Sequence, residues 1–159
     1  MDLAMSTRSG MLTAGLVTLA AVGVAVVGVS ALVEPAPVPP FECTVVSVYD
    51  GDGPIHCREL DAAGHTIRIR LQGIAAREMD GSCRPGHPCP AASAEAARDS
   101  LRRLAQGQHL TCHQVGISYE RTVAWCARAD GVDLSCAQIR AGVALRWPRY
   151  DPEGRLISC

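Results

Sequence analysis

The chain has 159 residues, 15 of them arginine and none lysine, against 16 carboxylates, for a formal net charge of −1. That length holds one domain of ordinary size, and the near-neutral balance excludes a protein that grips nucleic acid by bulk positive charge. Any phosphate recognition must come from a few placed arginines, whose planar fork meets phosphate oxygens in pairs.

Residues 1–10 carry Arg8 and read as a short cytoplasmic or leader segment, followed at 11–33 by 23 residues without a charge. A hydrocarbon core needs roughly 20 apolar residues, so 11–33 is expected to be a transmembrane anchor or an unusually long signal peptide. Val29-Ser30-Ala31 offers a small-residue cleavage site for the second reading. Both readings export the remainder of the chain to a periplasmic or secreted location, with Arg8 on the cytoplasmic side. Residues 34–41 hold Pro35, Pro37, Pro39 and Pro40 and predict an extended spacer. The folded domain is therefore 42–159.

Within it, Cys43–Tyr49 is rich in β-branched residues and runs into Asp50-Gly51-Asp52-Gly53, a turn signature; Ile55–Glu59 returns as a second strand. After a turn at Ala63-Gly64, Thr66–Leu71 alternates, with Ile67, Ile69 and Leu71 on one face and Arg68, Arg70 and Gln72 on the other. Ala91–Ala105 is helical in composition, with Gly107 just beyond it. Strands His109–Val115 and Thr122–Arg128 flank a turn at Ser118–Glu120, and Asp133 caps a second helix that stops at Gly142. Five strands with a helix after the third predict an α+β fold: a five-stranded, partly open barrel of the OB type, with two to three helices.

All eight cysteines (Cys43, Cys57, Cys83, Cys89, Cys112, Cys126, Cys136, Cys159) come after the apolar run. An even count confined to an exported domain reads as a disulfide framework. Cys43 and Cys57 are symmetric about Asp50, Cys112 and Cys126 about Tyr119, and Cys83 and Cys89 bracket Arg84-Pro85-Gly86-His87-Pro88. Spacing thus favours these three pairs and leaves Cys136 with Cys159. A zinc site on Cys83, His87 and Cys89 is the alternative, but its spacing matches no usual tetrahedral pattern and no fourth ligand is evident.

Asp50-Gly51-Asp52, Arg70-Leu71-Gln72-Gly73-Ile74, Glu78, and Tyr119-Glu120-Arg121 occur in the order and spacing of one nuclease family. Over about residues 43–150 the chain resembles the staphylococcal nuclease (thermonuclease) family. Asp130-Gly131-Val132 and Arg140-Ala141-Gly142 are similar to the family's later turn and second-helix end. The resemblance implies calcium-assisted hydrolysis of DNA and RNA phosphodiesters by a monomer. It implies Asp52 as the main calcium ligand with Asp50 as its turn partner, and Arg70 and Arg121 as the phosphate clamp. It implies Glu78 as the group that orients or deprotonates the attacking water, and Tyr119 as an aromatic near the bound nucleotide.

The chemistry needs such groups. A hard cation neutralises the phosphodiester charge, guanidiniums stabilise the transition state, and a carboxylate near the nucleophile gives typically ~10²–10⁴-fold. The chain departs from the family at Ala75, where a second calcium-binding aspartate is usual, and at Ala76 and Arg77 beside it. Asp80 stands in a different register. A calcium site weakened in this way leaves a nuclease as the first reading, a catalytically impaired nucleic-acid or nucleotide-binding module as the second, and an envelope-interaction domain as the third. Cys83–Cys89 is expected to stiffen one edge of the cleft. Trp147 and Tyr150 offer stacking faces for bases, although Trp147 is expected to close the core.

Overall fold

A computed structural model describes residues 38–159. The run 11–33, and with it the choice between anchor and signal peptide, lies outside those residues. Among the described residues no helix is long and apolar enough to cross a membrane.

Branched and small apolar residues at alternate positions build five long strands: β1 (Phe41–Val48), β2 (Ile55–Leu60), β3 (Thr66–Leu71), β5 (His109–Ser118) and β6 (Arg121–Arg128). A two-residue strand, β4 (Ile74–Ala75), lies between β3 and the helix α1 (Ala94–Ala105); α2 (Leu134–Arg140), β7 (Leu145–Arg146) and a 3-10 turn at Pro148–Tyr150 come after β6. The long strands close into a barrel in the order β1-β2-β3-β6-β5. Every neighbouring pair in it is antiparallel except β3 with β6, which is parallel. The α+β barrel expected from the sequence is therefore present.

Closure is complete where a partly open barrel was expected, and β1 is the reason. A bulge between Val45 and Ser47 bends the strand, so that Phe41–Thr44 pair with β5 while Val45–Val48 pair with β2. Ile55, Ile69, Leu71, Leu110 and Ala124 fill the core from the strands, with Leu101, Ala105 and Leu134 from the helices.

Local chemistry sets the boundaries. α1 starts at Ala94, three residues later than composition suggests, because Ser93 caps it: its Oγ accepts from Ala96 N at 3.2 Å. The β5–β6 hairpin turns on Tyr119 and Glu120, with φ of 47° and 61°. Positive φ at both positions gives the primed turn whose twist suits a two-residue hairpin. The small sheet of β4 and β7 escapes sequence reading because two residues carry no periodicity.

The four disulfides are Cys43–Cys57, Cys83–Cys89, Cys112–Cys126 and Cys136–Cys159, as spacing suggested, and no cysteine is free. They point to an oxidising, extracytoplasmic location.

The buried Gln138 of α2 joins both helices to the first turn. Its Nε2 donates to Gly51 O at 2.8 Å and to Ala97 O at 2.9 Å. Gly51 is pressed so closely on α1 that an added Cβ would lie 2.3 Å from that of Ala97. Gln138→Ala should cost about 2–4 kcal/mol, since it leaves the buried Gly51 carbonyl unpaired, removes a second bond to Ala97 O and opens a void. Urea unfolding with an unchanged slope and a lowered midpoint is the expected result; a loss below about 1 kcal/mol would contradict the tether.

Candidate functional site

The site begins with the turn after β1. Asp50 Oδ1 accepts from Asp52 N at 3.1 Å, the local bond that lets an aspartate shape a turn. Gly53 comes next with φ +119°, and a Cβ there would stand 2.4 Å from Ile69 O, so only glycine lets the turn lie flat on β3. Leu71 N then donates to Asp52 O at 2.9 Å, which fixes Asp52 beside the outward-facing Arg70.

Arg70 Nη1 forms an ion pair with Asp52 Oδ1, while Arg70 Nη2 donates to Ile74 O at 3.2 Å. Asp52 Oδ2 accepts from Ala76 N at 2.8 Å. Both carboxylate oxygens of Asp52 are thus engaged by the protein. Glu78, in the loop beyond β4, pairs through Oε1 with Arg84 Nε at 2.9 Å. Arg121 begins β6 directly after the primed turn; its Nε donates weakly to Ser118 O at 3.4 Å, and among the described residues it has no carboxylate partner.

Asp50, Asp52, Arg70, Glu78, Tyr119 and Arg121 all line one cleft of about 240 Å³. Every site residue expected from the sequence is therefore brought to one place. Arg84, His87, Trp147 and Tyr150 complete the wall. Arg84 was not anticipated as a site residue, and His87 was weighed only as a zinc ligand; the short loop between Cys83 and Cys89 was the available signal, because it holds both beside Glu78. Trp147 does not close the core. Its backbone N is tied to Gly73 O at 2.7 Å and Pro148 starts the 3-10 turn, so the ring faces the cleft instead. Trp125 packs on the core in its place. Trp147 lies 4.2 Å from the His87 ring and meets Tyr150 edge-on at 4.6 Å.

Burial governs the charges. It pushes the Asp50 carboxyl from 3.8 up to about 6, against the attraction of Arg70, and Glu78 adds to the rise. Burial also brings Arg70 down to about 10. His87 is lowered first by burial, then by Arg70 and Arg84, with Glu78 opposing.

The carboxylates do not form a calcium cage as they stand. Calcium takes roughly 6–8 oxygen ligands, yet Asp52 spends both oxygens on Arg70 and Ala76 N. Ala75 is buried in β4 without a carboxylate, and Asp80 is exposed, accepting from Ser82 N at 2.8 Å. A zinc site on Cys83, His87 and Cys89 is excluded because the two sulfurs are bonded to each other. Cys43, Cys57 and Glu59 also converge, but that pair too is a disulfide and Glu59 is held by Thr44.

The sequence matches no protein-family model and no curated protein. The functional reading accordingly rests on the residues and their geometry.

Asp50 makes stability depend on pH. Its folded pKa lies above the ordinary value, so folding takes up a proton between about pH 4 and 6 and stability falls as pH rises through that window. Asp50→Asn keeps an acceptor for Asp52 N and removes the burial cost of the charge. It should flatten the pH dependence of urea stability across that window and add about 3 kcal/mol at pH 7. An unchanged slope would refute the assignment.

Proposed function

We propose that this cleft binds the phosphodiester of single-stranded nucleic acid and that the chain is an exported nuclease of the thermonuclease type. One observation carries the reading: Arg121, a guanidinium without a carboxylate partner among the described residues, shares a cleft with Arg70, Glu78 and three aromatic rings. The strand order and the single parallel pair support an OB-type barrel, which binds oligonucleotides across its strands and loops.

The roles follow from charge and exposure. Arg70 is largely neutralised by Asp52, so Arg121 meets the phosphate first and Arg70 adds a second guanidinium at the same oxygens. Tyr119 is 83% exposed at the turn beside Arg121 and presents a face to a base. Glu78 keeps Oε2 free of Arg84 and serves as the base toward the nucleophile. The reading assigns no step to a resident calcium ion, because the carboxylates that would hold it are committed elsewhere.

A binding module without cleavage is the second reading, favoured by Ala75 and by the ion pair that restrains Glu78. Fluorescence anisotropy and a gel assay on one labelled single strand separate the two. Arg121→Ala should weaken binding about 10–100-fold, the worth of a charged hydrogen bond. Glu78→Gln should bind as the wild type does and cleave about 10²–10⁴-fold more slowly. Binding without cleavage by the wild type would select the module; binding unaffected by Arg121→Ala would overturn the site.

A further inference from the structure

We propose that His87 is a second proton-transfer group of this cleft and that, with Glu78, it cleaves RNA through the ribose 2′-hydroxyl without a metal ion. The inference rests on the phosphodiester-binding reading above and adds to it a substrate class and a residue.

His87 is placed with care. The disulfide Cys83–Cys89 closes a six-residue separation around it, His87 N donates to Arg84 O at 3.0 Å, and its ring lies on Trp147. The other histidines are spent elsewhere or face away: His56 meets Ser47, His109 meets Thr44, His65 meets Asp61, and His113 is exposed on β5 opposite Trp125. Only His87 lines the cleft, and among the described residues its ring nitrogens have no protein partner. It shares that cleft with the Glu78 carboxylate, the guanidiniums of Arg70, Arg84 and Arg121, and aromatic faces. A base, an acid and cationic stabilisation are what an internal displacement at phosphorus needs.

The step balances without a co-reactant. The 2′-oxygen bonds to phosphorus as its proton passes to Glu78 Oε2. The bond from phosphorus to O5′ breaks as the His87 imidazolium hands its proton to O5′. One fragment ends in a 2′,3′-cyclic phosphate and the other begins with a 5′-hydroxyl; exchange with solvent then resets both side chains. Arg70 and Arg121 hold the charge that gathers on the non-bridging oxygens. Four groups face His87: Arg70 from β3, Arg84 from its own loop, Glu78 from the preceding loop, and Tyr150 beyond Trp147. Burial first, and then the two arginines, make the imidazolium a stronger acid, so the rate should be greatest on the acid side of about pH 6.5 and fall as His87 loses its proton.

The test uses the oxidised full chain in mild detergent with EDTA, given oligouridylate and oligodeoxythymidylate of equal length. Both strands should bind, and only the RNA should be cut, to fragments ending in 2′,3′-cyclic phosphate. His87→Asn should bind RNA as the wild type does, cleave it about 10²–10⁴-fold more slowly, and lose the decline in rate above about pH 6.5. Cleavage of the deoxy strand at the RNA's rate, or full activity in His87→Asn, would overturn the proposal. If both strands bind and neither is cut until calcium is added, this inference fails and the nuclease reading stands. If neither strand binds, both fail.

Discussion

The carboxylate of Asp52 is the point on which the cleft depends. It takes the Arg70 guanidinium on one oxygen and the Ala76 N–H on the other, while its backbone carbonyl accepts from Leu71 N. Three separate stretches, the first turn, β3 and the segment after β4, are drawn together at this one side chain. The turn that carries it is seated by Gly53 on β3 and by Gly51 on α1, and Gln138 locks the far side from α2. An ion pair this buried is strongly destabilising to break, because it strands a charge in a poor solvent. The barrel supplies the platform, and Asp52 fixes where the arginine points.

The same pair sets how charge is distributed in the cleft of a chain with almost no net charge. Three arginines and three acids meet in the cleft, but they are not equivalent. Asp52 is spent on Arg70 and Glu78 on Arg84, and burial drives Asp50 toward its neutral form. Arg121 is left, among the described residues, as the cation without a carboxylate ion-pair partner. Ala75 fits this arrangement: a second carboxylate next to Asp52 would need a cation to offset the repulsion, whereas one carboxylate is balanced by one guanidinium. The apolar Ala75 and the Arg70–Asp52 ion pair are two sides of one electrostatic balance.

Much of the fold and the cleft was legible in the sequence, and the features that escaped it did so for physical reasons. Alternation in Thr66–Leu71 marked β3 and put Arg70 on the side away from the core. The symmetry of cysteines about the two turns marked hairpins, and the disulfides obey it. Asp50, Asp52, Arg70, Glu78, Tyr119 and Arg121, singled out from the sequence, line one cleft. Hidden from sequence were features set by tertiary contact: the bulge that closes the barrel, the β4–β7 pairing, and the direction of the Trp147 ring. That ring is turned by a backbone bond to Gly73 and a proline turn, neither of which leaves a periodic signal. The place of Arg84 and His87 in the cleft was equally hidden, since a loop residue shows its surroundings only when the loop has been laid against something.

The central claim is that Arg70 and Arg121 form a phosphate clamp that works with Asp52, and no bound cation, as its counter-charge. Nitrogen-15 NMR of the arginine Nε–H groups tests it most directly, with a short single strand titrated into the full chain in the presence of EDTA. The Arg70 and Arg121 resonances should both move and saturate with one apparent affinity, while the exposed Arg103 stays still. Resonances that respond only after calcium is supplied, or that never respond, would contradict the account.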